Sequence, residues 1–173
     1  MEYSNQLNNA LTYSTQEAER LGNTYVGPEH LLLGLIRLGA GKALEIINTL
    51  RVDVTKVKNE IEILVRTDNN SVVEEIPLLK STEKLKKIME LEARSLSVEL
   101  ADTEHLLLAI LKMKNNLADD ILTANNISYE RVLEQISTKN RLLMMMTTMK
   151  VKIRLQKNRN KPQHRQNKVI RQL

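Results

Sequence analysis

Glu29-His30-Leu31-Leu32-Leu33 decides the fold of this chain because it occurs twice. The same five residues return at Glu104-His105-Leu106-Leu107-Leu108, 75 positions later, and the register holds outward in both directions. Upstream, Ala18 and Leu21 recur as Ala93 and Leu96; downstream, Ala43, Ile46, Val57 and Ile61 recur as Ala118, Ile121, Val132 and Ile136. Across residues 18–61 against 93–136, 11 of 44 positions are identical without a gap. Others keep their class, as in Leu35/Ile110, Ile36/Leu111, Arg37/Lys112 and Val52/Ile127. A fixed period of this kind marks an internal duplication, in which each copy is one structural unit.

Each copy reads as four helices. Ser4 is a candidate N-cap, and Leu7, Leu11, Ser14, Ala18 and Leu21 follow at helical spacing to a stop at Gly22. Pro28 opens a second helix as a first-turn residue, with Glu29 beside it where negative charge suits the helix dipole. Leu31, Leu32, Leu35 and Ile36 form its expected buried stripe, and Gly39-Ala40-Gly41 ends it. A short third helix is predicted over 42–50. Asp53 caps a fourth, with Val54, Val57, Ile61, Leu64 and Val65 on one side. In the second copy Thr103 is the expected N-cap of the EHLLL helix, and Ser128 caps the last one.

One copy alone buries only one side of each short helix, so the two copies are expected to share a core. The predicted class is all-α: two pseudo-symmetric four-helix repeats packed into one eight-helix globular domain. Repeat 1 is assigned to 1–66, a linker (TDNNSVVEEIP) to 67–77 and repeat 2 to 78–138. Residues 139–173 form a tail.

Composition agrees with this reading. Hydrophobic residues make up 42% of the 173, but aromatics only 2%, with no Phe or Trp. Such a core is built from Leu, Ile, Val, Met and Ala, which suits helices better than sheets. The absence of cysteine excludes disulfides, thiolate zinc sites and a Cys nucleophile. The start, Met1-Glu2-Tyr3-Ser4-Asn5-Gln6, lacks the basic and apolar character of a secretory signal, and the longest apolar run is broken at Gly34. A soluble, cytoplasmic protein is expected.

The net charge of +5 conceals two regions. Residues 1–138 hold 15 Lys/Arg and all 21 Asp/Glu, a balance of −6, whereas 139–173 hold 11 Lys/Arg and no acid. The tail is rich in Lys, Arg, Gln and Asn and is expected to be disordered in isolation. Basic residues can attract nucleic-acid phosphates, so a helical polyanion-associated protein acting through its tail is the alternative function. Nucleic acid is the less favoured partner, because the tail lacks aromatic stacking residues and any known reading motif.

Candidate chemistry is sparse. Gly41-Lys42 is not a phosphate loop, since Ile36 and Ala43 stand where the motif needs Gly and Ser or Thr. His30 and His105 have no partner at metal-ligand spacing, and a structural role next to the apolar run is favoured. No catalytic residue, metal or cofactor is expected. Glu29 and Glu104 admit two readings: first-turn compensation of the dipole, or a carboxylate that accepts a guanidinium in bidentate fashion.

The run from Glu17 to Arg37, EAERLGNTYVGPEHLLLGLIR, closely resembles the Clp N-terminal repeat, and Ala93 through Lys112 resembles it more loosely. The double repeat is similar to the N-terminal domain of ClpC-type Hsp100 unfoldases. That resemblance implies docking of Clp adaptor proteins and protein substrates at the entrance of an AAA+ ring. The ring's ATPase activity is not expected of these 173 residues, which carry no AAA+ motif, and the ClpP peptidase would be a partner only through the absent AAA+ modules. In some ClpC proteins the repeats bind phosphorylated arginine. The resemblance places the family's glutamates on Glu29 and Glu104 and its phosphate-holding hydroxyl on Ser4, whose second-repeat counterpart is Leu79. The implied substrate- and adaptor-binding residues are therefore Ser4, Glu29 and Glu104. Within each repeat, Ser4 is expected with Glu29, and Leu79 with Glu104. Pro28 replaces the usual threonine, and Asp102, in place of the usual glycine, would repel a nearby phosphate.

Overall fold

The structure, a computed structural model, describes residues 1–69 and 73–159. In chain order these form β1 (Glu2–Tyr3), α1 (Asn5–Arg20), α2 (Pro28–Leu38), α3 (Lys42–Thr49), α4 (Val54–Val65), α5 (Lys80–Ser95), β2 (Leu100–Ala101), α6 (Thr103–Lys112), α7 (Leu117–Ala124) and α8 (Tyr129–Arg159). The chain divides into two units, Met1–Ile136 and Ser137–Leu173. The all-α expectation holds, with one addition: the two-residue strands were not foreseen.

Helix starts follow the local chemistry. Ser4 Oγ accepts the Leu7 N–H at 3.0 Å, Asp53 Oδ1 accepts the Lys56 N–H at 3.1 Å, and Ser128 Oγ accepts the Arg131 N–H at 3.3 Å. Each satisfies a first-turn donor that the helix itself leaves unpaired. One expected cap moves. Asp102, not Thr103, caps α6, its carboxylate accepting the Thr103 N–H at 2.8 Å. Thr103 is the first helical residue, the position Pro28 holds in α2.

The EHLLL helices are buried on every side. In α2, Pro28 through Leu35 are buried, and in α6 so are Thr103 through Leu111. The expected stripe on α2 is therefore too narrow, since Leu33 is inside as well. A helix that is apolar all round is a central one. Around this pair, α1 packs chiefly on α2 and α5 on α6, while α3 crosses to α6 and α7 crosses to α2. Gly34 lets α1 approach: a Cβ there would lie 2.2 Å from Ser14 Oγ and 2.3 Å from the Ala10 carbonyl oxygen. On α4 Val57, Ile61 and Val65 are buried and Val54 packs against the core while partly exposed; Leu64, expected on that face, is 63% exposed because the buried row runs at intervals of four toward α2 and α7.

The two copies interlock through their N-terminal segments. Tyr3 pairs with Ala101 in the parallel β1–β2 pair, and Val26 pairs with Leu78 in an isolated parallel bridge. These are the same contact, because adding 75 to Tyr3 and Val26 gives Leu78 and Ala101. The Ser4 N–H reaches the Ala101 carbonyl at 2.8 Å, and the Leu79 N–H reaches that of Val26 at 3.1 Å. Each copy therefore places the start of its first helix against the other copy's EHLLL helix.

In the second unit, residues 137–159 continue α8 as helix, so the expected disorder of the tail is corrected over that span. Leu, Met, Lys, Arg and Gln are strong helix formers, and no Gly or Pro interrupts them before Pro162. Their side chains are exposed. The remainder of the tail, 160–173, lies outside the described residues.

Candidate functional site

Interlocking changes which site residues meet. Ser4, at the start of α1, lies with Glu104 and not with Glu29. Its hydroxyl donates to Asp102 Oδ1 at 2.6 Å. Lys42, from the first turn of α3, reaches Asp102 Oδ2 at 3.4 Å and Glu104 Oε1 at 3.1 Å. Leu79 accordingly stands at the Glu29 end, through its bond to Val26. The within-repeat pairing expected from the sequence is thus replaced by a pairing across repeats. A duplication offset locates equivalent residues, but it does not say which copy supplies the neighbour.

Around Glu104 the polar groups are committed to one another. Asp102 is half-buried, which raises its pKa, but the Ser4 hydroxyl, the Thr103 N–H and Lys42 outweigh that and hold it below the ordinary carboxylate value. Lys42 loses some stability as a cation by desolvation, and Glu104 and Asp102 more than restore it, so its pKa lies above the ordinary value. Glu104 itself is buried, and its Oε2 has no hydrogen-bond partner. The Asp102 carboxylate occupies the space in front of the α1 N-terminus, where an incoming anion would otherwise be held.

Glu29 is arranged differently. Gly27 precedes it where Asp102 precedes Glu104, and a Cβ on Gly27 would come within 2.3 Å of Glu29 Oε1. Lacking that Cβ, the Glu29 carboxylate folds back over the helix start. Among the described residues no Lys or Arg lies within ion-pair distance of it. Burial raises its pKa, partly countered by a backbone N–H. It borders an open pocket of about 470 Å³ shared with Tyr25, Leu64, Val65, Thr67 and Leu117. Leu117 is the counterpart of Lys42, so the Glu29 pocket has an apolar wall where a cation stands beside Glu104.

The two histidines hold the loops that carry the glutamates. His30 Nδ1 accepts the Gly27 N–H at 2.9 Å, and its Nε2 lies 2.7 Å from Asn23 Oδ1. Asn23 Nδ2 donates to the Val65 carbonyl, so Oδ1 is the acceptor and the His30 proton sits on Nε2. Burial pushes the His30 pKa down to about 4. His105 repeats the bond, accepting the Asp102 N–H at 2.9 Å, and burial lowers it too. Glu17 and its counterpart Glu92 were missed from the sequence. Glu17 is buried against Arg20 and Arg37, and Glu92 against Lys112 and Tyr129. Burial raises Glu17, and the two arginines outweigh it and lower its pKa overall. These pairs bind the first helix of each repeat to the second. No metal-ligating cluster occurs among the described residues. None of their helices is long and apolar enough to cross a membrane.

Lys42 was also missed. Gly41-Lys42 matches no binding motif, and the Lys42/Leu117 difference at offset 75 is the one signal the sequence carries for it.

The family model of the Clp repeat (R) N-terminal domain matches residues 2–143. The chain belongs to the Clp N-terminal domain family. Among curated relatives of this Clp domain, chaperone protein ClpB of Oceanobacillus iheyensis is 33% identical over 129 residues, which is 73% of this chain and 16% of that protein. The Bacillus subtilis negative regulator of genetic competence ClpC/MecB is 32% identical over 129 residues, covering 73% of this chain and 15% of its own length. The chain thus matches only a small part of these relatives. Two solved structures share the fold. The N-terminal domain of ClpD from Arabidopsis thaliana has a TM-score of 0.62 at 18% identity, over 79% of this chain and 95% of its own. The Hsp104 N-terminal domain from Candida albicans gives 0.66 at 14% identity, over 78% and 89%.

Proposed function

We propose that this Clp domain is a docking module for adaptor and substrate proteins of an Hsp100 unfoldase, and that it holds a basic side chain of the partner, arginine foremost, against Glu29. The observation that carries the reading is a nearly buried carboxylate with no Lys or Arg within ion-pair distance among the described residues, bordering an open pocket with Tyr25 and Leu117 on its walls. An arginine fits that chemistry. Its guanidinium engages both carboxylate oxygens and its stem covers apolar surface. The domain contributes binding to the larger machine, and the ATP-driven work belongs to modules of the relatives that this match does not span.

Phosphorylated arginine is the narrower form of this reading. Against it, Leu79 supplies no hydroxyl at the Glu29 end, and at the other end the Ser4 hydroxyl is already bonded to the carboxylate of Asp102. We therefore favour the unmodified side chain. Fluorescence anisotropy with three labelled peptides, carrying arginine, phosphoarginine or the neutral analogue citrulline at one position, tests this. Arginine should bind best and citrulline worst. Equal binding of arginine and citrulline would remove the role of Glu29, and tightest binding of phosphoarginine would restore the phosphate site. Deleting residues 139–173 should leave arginine binding in place. Salt-sensitive DNA binding lost with that segment would favour the basic tail as the working part instead.

A further inference from the structure

We propose that Lys42 is a built-in partner of the Glu104 carboxylate, a tethered cation that closes this second site to basic side chains while the Glu29 site stays open. The inference rests on the reading that these carboxylates receive cations, and it explains why two duplicated sites should differ.

The placement of Lys42 is constructed by residues that the duplication does not repeat. Gly41 starts α3 at φ 93°, a left-handed conformation that favours glycine. A Cβ there would lie 2.9 Å from Thr103 Oγ1. That close approach lets Thr103 Oγ1 accept the Ala43 N–H at 3.2 Å, fixing the first turn of α3 onto the start of α6. Lys42 lies between Gly41 and Ala43 and is thereby aimed at Glu104 and Asp102. At the Glu29 end the corresponding residues are Asn116, Leu117 and Pro28. Pro28 has no hydroxyl to anchor a neighbouring helix, and Leu117 has no charge.

Lysine satisfies the Glu104 carboxylate incompletely. Its ammonium contacts Glu104 Oε1, while Oε2 remains buried and without a hydrogen-bond partner. A carboxylate that is nine-tenths buried with one orphaned oxygen is suited to a forked donor, because a guanidinium bonds both oxygens where an ammonium acts as a point charge. The Lys42 side chain is 51% exposed, so it can swing into water without disturbing the core. The plug is thus removable, and it reduces the apparent affinity of the Glu104 site by the fraction of time that it is in place.

The test is an amide-resolved NMR titration of the full chain, isotopically labelled, with Nα-acetyl-arginine amide as the probe. In the wild type, saturable shifts should gather around Tyr25 and Glu29. In Lys42→Met a second set should appear at Asp102, Thr103 and Glu104, with an apparent Kd there at least about tenfold below that of the wild type. Lys42→Ala should behave like Lys42→Met, and Lys42→Met with Glu104→Gln should lose the second set. Unchanged Glu104-region shifts in both single variants, with Glu29-region binding intact, would overturn the plug and leave the docking reading standing. The second set appearing without any binding at Glu29 would support the plug and refute the Glu29 site. Equal wild-type binding at both ends would also overturn the plug.

Discussion

The buried histidines make the domain acid-sensitive in a range where carboxylates are not the main cause. His30 has no exposed surface, and its pKa falls from 6.5 to about 4 on burial. Between those values the unfolded chain binds a proton that the folded chain refuses, so stability drops as pH falls. A single group with these two constants removes on the order of 1 kcal/mol between pH 7.5 and 5.5, and more by pH 4.5. His105 is shifted in the same direction and adds to the loss. Asp102 and Glu17 have depressed pKa values, so their contributions persist through this range and are lost only at lower pH. Glu29, raised by burial, acts with the opposite sign and offsets part of the loss as it protonates in the folded state. The assay is urea unfolding followed by far-UV circular dichroism at pH 7.5, 5.5 and 4.5, on the wild type and His30→Gln. The variant should be less stable at neutral pH, because the Gly27 and Asn23 hydrogen bonds are remade poorly. Its fall between pH 7.5 and 5.5 should nevertheless be smaller than that of the wild type by on the order of 1 kcal/mol. Equal slopes in the two proteins would refute a buried, neutral His30.

Other substitutions test the packing. Gly34→Ala should destabilise by about 2 kcal/mol in urea, since the overpacking against Ser14 and Ala10 exceeds the gain in helix propensity; a gain in stability would mean that α1 does not approach α2 so closely. Ser4→Ala removes both the cap on Leu7 and the donor to Asp102 and should lower stability by about 1 kcal/mol, read as a shift in the urea midpoint. Removing residues 139–173 should leave the midpoint unchanged within about 0.5 kcal/mol, because the core residues all belong to the first unit. A larger loss would show that the second unit supports the first.

Much of this was legible before the structure. Matching Glu29-His30-Leu31-Leu32-Leu33 to its second copy placed the two central helices, because an identical apolar run at fixed offset has to occupy equivalent environments. Ser4, Asp53 and Ser128 were legible as caps since capping depends on neighbours within one turn. Contacts set by distant segments were not legible. Ser4 meets Asp102 only because the N-terminal strand of one copy joins the loop of the other, and no local signal records that exchange. The helix over 137–159 was not legible for a different reason: charge and polarity argue for disorder there, whereas the Leu, Met, Lys and Arg content favours helix. Leu64 followed the expected periodicity and still faces outward, because the number of helices packed on α4 sets the width of its buried face.

The docking account is tested most directly by calorimetric titration of the full chain with an arginine-containing peptide, comparing the wild type with Glu29→Gln and Glu104→Gln. One site per chain, abolished by Glu29→Gln and retained in Glu104→Gln, is the predicted result. Two equivalent sites in the wild type, or a single site that survives Glu29→Gln and vanishes with Glu104→Gln, would contradict it.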